Sequence, residues 1–156
     1  MEMKIEFKLK LDSFVKKADN YIKNTANHKQ VEFSTSNISP WNSKILKSDN
    51  EELLSSVSGS ANIYAIFCAS KDSEDYVLKY IGKSTKKLAR QRLTNHLIKK
   101  HEKTGAKLNK VIDHVQAGGK IKITWVSIVP ESMRNCVEEE LIQKHPEATW
   151  NRKNRQ

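Results

Sequence analysis

The sequence predicts an α+β domain, a three-stranded antiparallel sheet flanked by helices, with a mostly helical extension over residues 1–60 ahead of it. Three observations lead there. Residues 62–69 are apolar and β-prone on both faces, as a central strand requires. Residues 76–82 form a second such run across the polar turn Lys71-Asp72-Ser73-Glu74-Asp75, which makes a β-hairpin. Beyond them the hydrophobic period changes to that of helices, then to two, then back, so that residues 61–156 read β-β-α-α-β-α.

Each element has its own signal. Ile5, Phe7, Leu9 and Leu11 alternate with polar residues, which predicts a short strand. Asp12 or Ser13 then caps a helix to about residue 24, with Phe14, Val15, Ala18, Tyr21 and Ile22 as its apolar face. Residues 34–60 are rich in Ser and Asn, broken by Trp41, Ile45, Leu46 and a helical patch near 51–57. This arm has three open roles: packing on the main domain, contact with a bound partner, or dimerisation. A helix over 85–102 buries Leu88, Ala89, Leu93 and Leu97. Another spans 106–116 and stops at Gly118-Gly119. Residues 121–128 alternate as the third strand. A last helix over 131–145 turns Met133, Val137 and Leu141 inward and ends before Pro146.

Charge is unevenly spread. The chain carries a formal +10 with pI about 9.6, yet residues 1–60 hold 9 Lys/Arg against 8 Asp/Glu. Residues 61–156 hold 19 against 10. Excess positive charge confined to one segment is the footprint of a polyanion-binding surface, and a merely solvated basic face is the plainer alternative. Cys68 and Cys136 form no CxxC pair and sit among apolar neighbours, as buried free thiols in a reducing compartment do. No apolar run approaches the roughly 18 residues that span a bilayer. The first residues lack the apolar core of a signal peptide, so no membrane partner and a cytoplasmic location are expected.

A few residues suggest chemistry in combination. With the hairpin centred near Asp72, Tyr64 and Tyr80 stand opposite each other on one face, beside a glycine, Gly82, that admits another group to the backbone. Lys83 follows. Arg92 and His96 are four apart and share a helix face, which Lys99, Lys100 and Lys103 prolong. A guanidinium grips a phosphate through two hydrogen bonds, and an imidazole donates to it or moves a proton. Glu138 borders the apolar stripe of the last helix, where one carboxylate can hold Mg²⁺ or Mn²⁺. Asn151 lies in the tail past Trp150. Each has a plain alternative: strand tyrosines pack, helical cations are solvated, and Glu138-Glu139-Glu140 is a wet acidic face. His28, His101, His114 and His145 show no metal-ligand spacing and read as surface or helix-end residues.

Taken in order, Asn62-Ile63-Tyr64, Tyr80-Ile81-Gly82-Lys83, Arg92-Leu93-Thr94-Asn95-His96, Glu138 ahead of Leu141-Ile142, and Asn151 after Pro146 resemble the GIY-YIG nuclease family. The resemblance covers residues 61–154, with Asn62 in place of the family's first glycine and a longer interval between the two tripeptides. It implies a GIY-YIG domain over 61–156 and metal-dependent hydrolysis of phosphodiesters in double-stranded DNA by a compact restriction-type or phage-type enzyme. Carried over by position, Glu138 holds the metal, Tyr64 is the general base and shares its proton with Tyr80 or His96, and Arg92 and Lys83 stabilise phosphoryl charge. Asn151 completes the catalytic set, and Lys99, Lys100 and Lys103 contact DNA. Arg90 rivals Arg92, and Glu139 rivals Glu138. One active site per chain implies a homodimer for cutting both strands. The competing readings are a nucleic-acid-binding protein that keeps the fold without cutting, and a repair incision module.

Overall fold

The computed structural model describes residues 2–99 and 106–151. Its elements run α1 (Lys8–Lys23), β1 (Lys29–Gln30), α2 (Ser43–Asp49), α3 (Glu51–Val57), β2 (Ile63–Ala69), β3 (Val77–Lys83), α4 (Ala89–Leu97), α5 (Leu108–Gln116), β4 (Lys120–Val126) and α6 (Arg134–Lys144). Short 3₁₀ turns at Lys86–Leu88 and Glu131–Met133 lead into α4 and α6, so these helices begin later than their periodicity suggests. No helix among the described residues is long and apolar enough to cross a membrane.

The architecture is α+β, but the sheet has four strands where three are expected, ordered β1-β4-β2-β3 and antiparallel throughout. The extra strand, β1, is two exposed residues long, too short to leave an alternation in the sequence. It forms because β4 presents an open edge at Lys122 and Ile123, and Lys29 and Gln30 satisfy it. The expected strand over 5–11 is absent. Its second half belongs to α1, which starts before Asp12 rather than at it.

Strand β2 organises everything else. All seven of its residues are buried, so neither face of the sheet meets water there. Its period of two sends Tyr64, Ile66 and Cys68 to one core and Ile63, Ala65 and Phe67 to the other. The first core is closed by Leu46 of α2, Leu54 and Val57 of α3, Leu93 and Leu97 of α4, and Val111 and Val115 of α5. Val15, Ala18 and Ile22 of α1 and Val137, Leu141 and Ile142 of α6 close the second. The molecule is thus three-layered, and residues 1–60 cover both faces of the sheet. Phe14 and Tyr21 of α1, Leu88 and Met133 point outward, contrary to the expected stripes. The i, i+3, i+7 set of α1, Val15, Ala18 and Ile22, joins the core, and Leu11 packs against it.

A β-bulge breaks the hairpin register between Ile66 and Phe67, which face Tyr80 and Leu78 respectively and leave Lys79 over. Its consequence is a change of face. Leu78 joins the α1/α6 core while Tyr80, two residues on, packs against the other. The carbonyl of Lys79 accepts from the backbone N–H of Trp150 at 3.0 Å, which draws the C-terminal segment onto the β3 edge.

Three asparagines act as backbone clamps. The amide of Asn62 donates to Ile128 O (3.0 Å) and accepts from Ile128 N (2.7 Å). Asn50 does the same with Glu32 (2.9 and 2.8 Å), and Asn151 with Ile81 (both 2.8 Å). A carboxamide carries the donor and acceptor of a peptide, so each side chain closes a pair of backbone groups that would otherwise lack a partner strand.

Helix α1 is tied to the end of α6 by a charged cluster. His145 lies 2.6 Å from Asp19 through Nε2 and 2.7 Å from Glu147 through Nδ1, and Lys23 Nζ is 3.1 Å from Asp19. His145 does sit at a helix end, but it is buried rather than on the surface. Burial raises the Asp19 carboxyl pKa, and the hydrogen bonds from His145 and Lys23 outweigh burial, holding it below the ordinary Asp value. A depressed carboxyl contributes stability that is complete above its unfolded pKa of about 3.9 and is lost as pH falls through the lower folded value. Asp19→Ala is expected to lower unfolding free energy by about 1.5–3 kcal/mol at neutral pH. It should also flatten the acid limb of stability, checked by urea unfolding across a pH series.

Candidate active site

The site begins with a close approach. The Tyr64 ring lies directly against the backbone of β3 at Gly82, where an added Cβ would fall 2.6 Å from Cε1 and Cζ and 2.7 Å from the hydroxyl. Only a residue without a side chain fits beneath that ring. Tyr64 pairs with Gly82 rather than with Tyr80, which stands opposite Ile66. The hairpin is centred on Ser73, one residue later than expected, and that moves each partner by two. The tyrosines remain diagonal neighbours on one face, ring centroids 6.3 Å apart.

Helix α4 brings His96 over both rings. Its centroid is 5.7 Å from that of Tyr64 and 5.0 Å from that of Tyr80, and Nε2 lies 3.0 Å from the Tyr64 hydroxyl. On the ring's other side the backbone N–H of Lys107 donates to Nδ1 at 3.0 Å. A peptide N–H can only donate, so Nδ1 is an acceptor and a neutral ring carries its proton on Nε2. His96 therefore donates to the Tyr64 oxygen. Burial first, then the charges of Lys107 and Arg92, depress the His96 pKa to about 4, so the ring is neutral at physiological pH. Burial likewise pushes the Tyr64 phenol well above its ordinary value; Tyr80 and Glu138 add to this and Arg92 opposes it.

The two arginines differ in surroundings. Arg90 is held by α3, with Nη2 2.6 Å from Glu51 Oε1 and Nη1 3.3 Å from Ser55 Oγ. Arg92 is exposed, and its charge acts on both Tyr64 and His96. Of the glutamates, Glu138 is buried and Glu139 exposed. Glu138 Oε1 pairs with Lys83 Nζ at 3.5 Å, joining α6 to the end of β3. Asn151 holds the β3 backbone at Ile81, between Tyr80 and Gly82, with both ends of its amide engaged; it positions the strand. Lys99 is exposed at the end of α4, while Lys100 and Lys103 lie outside the described residues.

Tyr64, Tyr80 and His96 thus lie together, with Arg92 and Glu138 within electrostatic reach of Tyr64, and Lys83 paired to Glu138. Lys107 is an addition that residue type does not announce. Its part is a backbone N–H to His96, together with an ammonium 5.7 Å from the Tyr80 ring centroid. No group of three or more His, Cys, Asp or Glu among the described residues is arranged to hold a metal ion. Comparison of the chain with protein-family models, curated proteins and solved structures yielded no match.

Two outcomes are expected from this geometry. Gly82→Ala should cost about 1–3 kcal/mol, as overpacking does, and should lower the melting temperature although Gly82 needs no special φ. In a pH titration followed by NMR, the His96 ring should stay neutral down to about pH 4. A folded value this far below the unfolded one near 6.5 means its neutral form supports the fold above about pH 6.5, and that support is lost as the solution is acidified towards 4.

Proposed function

We infer that the chain is a metal-dependent DNA endonuclease of the GIY-YIG type, hydrolysing phosphodiesters through a site built on Tyr64, Tyr80, Lys83, Arg92, His96 and Glu138. The supporting observation is that residues from four separate elements, β2, β3, α4 and α6, converge. Two neighbouring tyrosines, a histidine held neutral, an exposed arginine and a buried carboxylate paired with an exposed ammonium lie around the Gly82 end of β3. A purely packed core has no use for so many ionisable groups. The basic excess of residues 61–156 fits a polyanionic substrate.

Roles follow from charge and hydrogen-bond direction. A phosphodiester is anionic, and its barrier falls mainly through positioning and charge stabilisation, which Arg92 and Lys83 offer. Tyr64 rests as a phenol and acts as base only as the phenolate, formed when its proton passes to solvent hydroxide. The hydrogen bond donated by His96 favours the resulting phenolate, and Arg92 favours it further. The neutral His96 ring has its Nδ1 lone pair occupied, so it steadies the tyrosine oxygen rather than taking its proton. Glu138 would hold a Mg²⁺ or Mn²⁺ ion, since Mg²⁺ accepts one carboxylate with the rest of its shell from water and phosphate oxygens. Bound there, the ion would supply positive charge to the phosphate and the leaving oxygen.

The test is incubation of the purified protein with plasmid and phage DNA in Mg²⁺, with EDTA as control. Cleavage should require the metal. Arg92→Ala and Glu138→Ala should each lower kcat by about 10²–10³, the effect of removing one charge-stabilising group. Normal cleavage by Glu138→Ala would overturn the metal assignment. Salt-sensitive binding without products in Mg²⁺ or Mn²⁺ would replace the enzyme by a non-catalytic binder.

A further inference from the structure

Residues 1–11 read Met-Glu-Met-Lys-Ile-Glu-Phe-Lys-Leu-Lys-Leu, with every odd position apolar and every even position charged. This is the pattern of a strand with one buried face. The single chain buries only its last residue in part, Leu11, which packs against the α1/α6 core. Ile5 is 70% exposed, Phe7 67% and Leu9 83%. Residues 2–7 adopt no regular structure, and 8–11 are drawn into the first turn of α1. That turn is a poor helix start. It has no side-chain cap and no acidic residue, while Lys8 and Lys10 stand at the positive end of the helix dipole. Asp12 and Ser13, the better capping residues, come just after it. A helix restarted there keeps Val15, Ala18 and Ile22 on the sheet.

We propose that this segment pairs antiparallel with the same segment of a second copy of the chain, forming a two-stranded ribbon across a two-fold axis at Ile5. The charges choose the register. Pairing about Ile5 sets Glu2 against Lys8 and Lys4 against Glu6, and by symmetry each pair occurs twice, all four attractive. A shift of one residue along each strand, to an axis at Glu6, places Glu6 against Glu6 and Lys4 against Lys8. An axis at Lys4 places Lys4 against Lys4 and Glu2 against Glu6. Parallel pairing in register sets every charge against its like. Intermediate registers put apolar residues opposite charged ones. Met3, Ile5, Phe7 and Leu9 of both copies then share one face. A lone two-stranded ribbon is marginal in water, and the exposed rings of Phe14 and Tyr21, seven residues apart on α1, provide apolar surface for it. The inference is independent of the nuclease reading.

Sedimentation equilibrium of the full chain over a concentration series tests it. A species of twice 17.9 kDa is expected. Lys4→Glu turns two attractive pairs repulsive and should weaken the dimer about tenfold, and Lys4→Glu with Glu6→Lys should restore it. Ile5→Cys, in a Cys136→Ser background, should give an interchain disulfide on mild oxidation, whereas Met3→Cys, which faces position 7 of the second copy, should not. A chain that stays monomeric throughout, or a dimer whose strength ignores both charge variants, would overturn the proposal.

Discussion

A strand that is buried on both faces cannot exist alone, and β2 is such a strand. Its seven residues need two apolar layers, and the segment after residue 60 provides only part of them. Helix α6 alone does not cover one side, and α4 with α5 does not close the other. The first 60 residues complete both, α1 beside α6 and α2–α3 beside α4. The apparent appendage is therefore a required part of the core. Its polar clamp at Asn50 ties the arm to itself at Glu32, and its ion pair from Glu51 to Arg90 fastens it to α4.

The candidate site depends on the same strand. Tyr64 is buried because its neighbours on β2 are, and its ring has room only because Gly82 lacks a side chain. With the ring placed, the hydroxyl meets His96, whose other nitrogen is claimed by Lys107 N–H. Burial then removes the charge from the imidazole and discourages ionisation of the phenol, while the charge of Arg92 favours the phenolate. Tyr64 and His96 thus rest as neutral groups, with the cations Arg92 and Lys107 and the Glu138 carboxylate nearby. Fixing one small residue under one ring thus propagates to the protonation state of a residue on another element.

Much of this fold is written in short-range patterns along the chain. An apolar run, a polar turn and a second run specify a hairpin within about twenty residues. Helical spacing located α5 and α6 to within a few residues at their ends and found α4, which runs only over Ala89–Leu97 of the 85–102 expected, while Tyr64, Arg92, His96 and Glu138 stand out as candidates by their order. The need for Gly82 beside a tyrosine was also legible, since glycine at that point invites close approach.

The remaining features each depend on a partner distant along the chain, which no short-range pattern carries. β1 exists because β4 has an open edge, and two residues carry no period of their own. The alternation at 5–11 yields a strand only where a second strand receives its hydrogen bonds, and within one chain the helix closes its own. The bulge at Lys79 puts Leu78 and Tyr80 on opposite faces although their spacing says otherwise. Arg90 and Arg92 are the same residue type on one helix, and Glu51 is what distinguishes them. The His96 tautomer is set by a peptide group, which every residue possesses and no sequence pattern marks.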